Sequence, residues 1–132
     1  MKAFVFGLAG AALLSGCAIG IQPGQSPSVS YTVARDYQTV YRRAEDQADH
    51  CLRGKNAYTV QATLNRDARS GVVAVVAPLG AGIVARTELK AIDAKHTHVS
   101  QIVWGHTPWD RAALDAMRES VRLDTTVCFA YK

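Results

Sequence analysis

Four stretches rich in β-type residues follow one another between Tyr58 and Trp104, and they constrain the fold more than anything else in the chain. "YTVQATLN" alternates strictly, with Tyr58, Val60, Ala62 and Leu64 facing one way and Thr59, Gln61, Thr63 and Asn65 the other. A period of two is the signature of a strand with one face buried. "RDARSG" is a turn signal, and "VVAVVAPL" is a continuous apolar run, the pattern of a strand packed centrally or buried on both faces. Pro78 and the "GAG" at Gly80 to Gly82 end that run. "IVARTELKAI" and "HTHVSQIVW" alternate again around "DAKH", which predicts a second hairpin.

Two helical patterns flank this block. "RDYQTVYRRAEDQADHCLRG" repeats its apolar positions Tyr37, Val40, Tyr41, Ala44, Ala48, Cys51 and Leu52 at spacings of three and four, which is one helix face. Asp36 suits the N-cap and Gly54 the C-terminal stop. A second helix is predicted after Trp104, with Thr107 as its cap, Pro108 at its first position and Asp110 in its first turn. Its inner face would carry Trp109, Ala112, Ala113, Ala116, Met117, Ser120 and Val121. "VSYTVA" ahead of the first helix alternates as a short strand, and "TTVCFAYK" at the end reads as a short edge strand. The order β-α-β-β-β-β-α predicts an α+β two-layer sandwich, an antiparallel sheet of about four to five strands with two helices on one face.

The first seventeen residues are of another kind. Met1 and Lys2 form a short positive n-region, and "AFVFGLAGAALL", Ala3 to Leu14, is an uncharged apolar run. A permanent transmembrane helix needs about 20 apolar residues, so this run reads as a secretory signal. Leu14-Ser15-Gly16-Cys17 resembles the lipobox of bacterial lipoproteins: an apolar residue, two small residues and a cysteine. The resemblance implies a diacylglyceryl thioether on Cys17, cleavage after Gly16 and lipid anchoring in the cell envelope. Two or three acyl chains, at about 0.8 kcal/mol per buried methylene, turn weak adsorption into stable anchoring. Ala18 and Ile19 follow Cys17, with no Asp to act as an inner-membrane retention signal of the enteric type, so the outer membrane is favoured. The expected organisation is a signal peptide over 1–16, a lipidated Cys17 with a flexible Pro/Gly-containing linker over 17–28, and one domain over 29–132.

Cys51 and Cys128 remain once Cys17 is assigned to lipid. Export places them in an oxidising compartment, where an even pair bonds, so a Cys51–Cys128 disulfide is expected, with both residues buried. His96, His98 and His106 are the one cluster with metal-ligand character, since His96 and His98 share a strand face and His50 could approach from the helix. No acidic or cysteine residue stands at a recognised metal spacing beside them, so no metal site is assigned. "PLGAGIV" is glycine-rich but lacks the dinucleotide and phosphate-loop patterns, which leaves a turn between strands. No catalytic triad, HExxH or nucleophile-elbow pattern occurs, and neither a catalytic residue nor a cofactor is assigned. "GVVAVV" could pair edge-on with a partner strand.

The formal charge of +4, fifteen Lys and Arg against eleven Asp and Glu, is scattered in ones and twos. A nucleic-acid binder clusters its basic residues on one face, so no nucleic-acid partner is expected. The reading is a non-enzymatic, lipid-anchored envelope lipoprotein that binds an envelope protein or stabilises an assembly. The alternatives are a module for a small molecule, metal or cell-wall component, and then a hydrolase.

Overall fold

A computed structural model describes residues 18–129; the expected signal peptide over 1–16 and the expected lipidation site Cys17 lie outside the described residues. The elements are β1 (Ser28–Val33), α1 (Tyr37–Cys51), β2 (Thr59–Asn65), β3 (Ser70–Val76), β4 (Ile83–Asp93), β5 (His96–Val103) and α2 (Arg111–Leu123). The five strands make one sheet in the order β1-β5-β4-β3-β2, every pair antiparallel. β2 to β5 is a meander of tight hairpins. β1 joins its far side, and α1 carries the chain back across the helix layer to the opposite edge. The α+β sandwich expected from element order is the fold observed.

Strand parity explains why the helices cover one face only. Thr97, Val99, Gln101 and Val103 of β5 are buried, as are Ala85, Thr87 and Leu89 of β4 and Val73 and Val75 of β3. Val40, Ala44 and Ala48 of α1, with Ala113, Leu114, Met117 and Val121 of α2, complete the core. Alanines on both helices let the two layers approach closely, and Tyr41 and Trp109 fill the space that they leave. The alternate residues, including Arg86, Glu88, Lys90, His96 and His98, occupy the open face. β3 lies between β2 and β4, and its Ala74 is buried even on the open side. The uninterrupted apolar run of β3 follows from that central place. It also removes "GVVAVV" as a docking edge, because both of its edges are already paired.

The helix ends follow local chemistry. Asp36 caps α1 as expected, accepting from the Thr39 amide at 3.0 Å. α2 starts later than predicted. Asp110, not Thr107, accepts from the Ala113 amide, at 3.2 Å, and the Thr107 hydroxyl donates to the Asp110 carboxylate. A carboxylate outcompetes a hydroxyl for the free amides of a first turn because its acceptor is charged. Pro108 and Trp109 are therefore outside the helix, and Trp109 turns into the core, 4 % exposed, donating from Nε1 to the Leu52 carbonyl at 2.7 Å.

Over its described residues, 125–129, the C-terminal segment is not the edge strand its composition suggests. After α2 the chain turns at Asp124, which adopts a left-handed conformation (φ 50°), and runs back along α1. Arg43 holds Asp124 and Thr126, and the buried Gln47 donates to the Val127 carbonyl at 3.3 Å. The Val127 amide donates to the Ser120 hydroxyl at 2.9 Å. These side-chain hydrogen bonds to α1 and α2 take the place of a strand ladder.

Candidate functional site

Cys51 and Cys128 are joined in a disulfide with a Cα–Cα distance of 5.1 Å, within the usual range for such bonds. Their burial differs from expectation: Cys51 is half-buried and Cys128 exposed. The neighbours Val127 and Phe129 suggested a core position, but a tail lying on the outer side of α1 leaves its residues facing solvent. The bond is a surface staple from the last turn of α1 to the tail that follows α2.

The histidines are separated by the sheet. His96 and His98 stand on the open face of β5, exposed, whereas His50 is on α1 in the layer on the other side. His50 cannot approach them, and its Nδ1 sits 2.8 Å from the Asp46 carbonyl. His96 contacts Asp93 at 2.9 Å. The Lys95 amide, and then His96, hold the Asp93 carboxyl below the usual carboxylate range. His106 lies past the other end of β5, with its ring centroid 4.4 Å from that of Trp104. Among the described residues no group of three or more His, Cys, Asp or Glu side chains converges as a metal site would require.

The most developed surface feature lies where the segment after Cys17 reaches the domain. Residues 18–27, expected as a free linker, are laid along the sheet. The Ile21 amide donates to the Ile83 carbonyl at 2.8 Å, and the Val103 amide donates to the Pro27 carbonyl at 3.0 Å. The Ser26 hydroxyl donates to the Trp104 carbonyl at 3.2 Å. Two glycines permit this approach. A Cβ at Gly82 would stand 2.0 Å from the Ile19 carbonyl oxygen, an impossible contact, and Gly20, at φ +123°, is buried against Ile83. The "GAG" motif thus does more than turn the chain: Gly82 supplies the bare backbone on which Ile19 and Gly20 rest. Sequence reasoning missed this because a glycine needed for close approach looks the same as one needed for a turn.

The docked segment and the open face enclose a groove of about 570 Å³. Ile21, Val29, Ile83 and Ile102 supply apolar lining, and Arg86, Glu88, Ser30 and Ser100 its polar part. The Ser30 and Ser100 hydroxyls are 3.0 Å apart, and Arg86 pairs with Glu88. The two hydroxyls satisfy each other, whereas Arg86 Nε is buried without a hydrogen-bond partner among the described residues.

The opposite side of the sheet ends in β2, a free edge of seven residues, "TVQATLN", that contains neither charge nor proline. Its outward backbone groups take no backbone hydrogen bond from any described residue outside β3. No protein-family model matches this chain, and no curated protein does.

Proposed function

We propose that this protein is a lipid-anchored component of the bacterial cell envelope, non-enzymatic, whose domain binds another envelope protein by accepting a strand of that partner at the β2 edge. The observation that carries the binding reading is the edge itself. Exposed edge strands are ordinarily blunted by lysine, proline, a bulge or a covering element, because unpaired amides and carbonyls template pairing with another chain. β2 has no charge and no proline from Thr59 to Asn65 and pairs in unbroken register with β3. Main-chain hydrogen bonds would supply affinity, and the exposed Thr59, Gln61 and Thr63 side chains would supply selectivity. The anchor reading rests on Leu14-Ser15-Gly16-Cys17 after an apolar run, and the disulfide accords with an oxidising compartment.

The test is purification of the full-chain protein from detergent-solubilised membranes as wild type, as Cys17→Ser and as the edge variant Gln61→Lys/Thr63→Lys. The wild type should carry lipid on Cys17 by intact mass and retain a partner whose binding protects the amides of residues 59–65 from exchange. Cys17→Ser should leave the membrane fraction. The edge variant should stay anchored and folded and lose the partner. A partner retained by the edge variant refutes strand addition, and an unmodified Cys17 refutes the anchor. A concentration-dependent dimer that the edge charges abolish would identify a second copy as the occupant instead.

A further inference from the structure

We infer that the end of the sandwich from which the chain leads back to Cys17 lies against the bilayer surface, with Leu79 entering the headgroup region. This rests on the lipid-anchor reading and adds an orientation and a second point of contact to it. At this end the sheet presents the starts of β1, β2 and β4 and the ends of β3 and β5, together with the C-terminus of α1.

Three observations converge there. The first is reach. Ile19 is two residues from Cys17, a span of at most about 7 Å, and its backbone rests directly on Gly82. A domain docked so close to its acyl chains cannot stand off from the bilayer as a domain on a loose tether would.

The second is exposed apolar surface. Leu79 is completely exposed, at the tip of the turn that ends at Gly82, and Phe129, beside the disulfide, is 83 % exposed. Ile19, at 41 %, lies between the turn and the anchor. Leu79 holds a left-handed backbone conformation (φ 60°), which a branched residue rarely adopts. Pro78, Gly80 and Ala81 beside it are also exposed and uncharged, so the whole tip is apolar.

The third is charge. The connecting segments at this end (18–27, 52–58, 77–82, 104–110 and 127–129) carry Arg53 and Lys55 against Asp110, and Arg111 begins α2 at the same end. Arg53 is paired with Asp49, but Lys55 and Arg111 make no ion pair with any described residue. An apolar tip that shares its end of the domain with two cations free of ion pairs to described residues is what an interface of anionic headgroups over acyl chains attracts.

The experiment uses the full lipidated chain carrying Leu79→Cys, or Ile92→Cys at the opposite end, each labelled with an environment-sensitive fluorophore. With Cys17 acylated and Cys51 bonded to Cys128, the introduced thiol is the one available for labelling. Ala81→Cys serves as a second reporter should the left-handed backbone at position 79 reject the change. In vesicles of phosphatidylethanolamine and phosphatidylglycerol, labels at 79 and 81 should shift to the blue and be quenched by lipid-borne nitroxide several-fold more than the label at 92. Equal, water-like emission at all three positions, in protein whose mass shows acylated Cys17, would overturn the orientation while leaving the anchor intact. An unmodified Cys17 would overturn the anchor, and the orientation with it.

Discussion

Breaking the Cys51–Cys128 bond gives the sharpest measurable consequence of this structure. The bond spans 77 residues, nearly the whole of the domain from the end of α1 onward. In the chain-entropy model, closing a loop of that size removes about 15 cal/mol/K from the unfolded ensemble, or about 4.5 kcal/mol at 25 °C. The native state has little to lose in exchange. Cys128 is exposed, and the tail around it keeps its hydrogen bonds from Gln47 and to Ser120 when the sulfurs part. The effect therefore falls on the unfolded chain, and residual structure there reduces it to about 3–4 kcal/mol. For a domain of this size that corresponds to roughly 12–20 °C in Tm. The assay is guanidinium unfolding of the full chain in mild detergent, comparing oxidised wild type with Cys51→Ser/Cys128→Ser by far-UV circular dichroism. The double variant should keep its native spectrum and lose about 3 kcal/mol or more. A loss under about 1 kcal/mol would refute the reasoning, and two titratable thiols in the oxidised wild type would refute the bond itself.

Two other perturbations probe the elements that position the site. Gly82→Val should force residues 18–21 off the sheet, costing about 1–3 kcal/mol as the Ile21–Ile83 hydrogen bond and the burial of Gly20 are lost. Limited proteolysis should then cut between Ala18 and Pro27 at least several times faster, and an unchanged rate would mean that the contact carries no weight. Asp36→Ala should cost about 1 kcal/mol at neutral pH through loss of the α1 cap. The Thr39 hydroxyl and then its amide lower the Asp36 carboxyl below its unfolded value of about 3.9. That stabilisation is complete above the unfolded value and disappears as the pH falls through the lower, folded one. Asp36→Asn should consequently keep the cap but show a flatter loss of stability in acid, read from denaturant midpoints; an unaltered acid limb would assign that loss to other carboxylates.

By itself the sequence determined the elements and the way they layer. A period of two in Tyr58–Asn65 and in β5, a period near 3.6 in α1, and the short connections between β2, β3, β4 and β5 are local facts, and together they leave little besides an antiparallel sheet with helices on one side. The pairing of Cys51 with Cys128 was equally legible, since the expected export, with Cys17 assigned to lipid, leaves two cysteines and one bond. Tertiary structure alone decided what depends on the approach of distant segments. The β-type tail found its hydrogen bonds on α1 and α2, because Arg43, Gln47 and Ser120 lay where no free sheet edge did. The segment over 18–27 has a linker's composition, yet it is docked, because Gly82, some sixty residues away in the chain, leaves its backbone bare beneath Ile19. Composition records what a segment can bury within itself; whether it is held depends on a surface that the rest of the chain must first build.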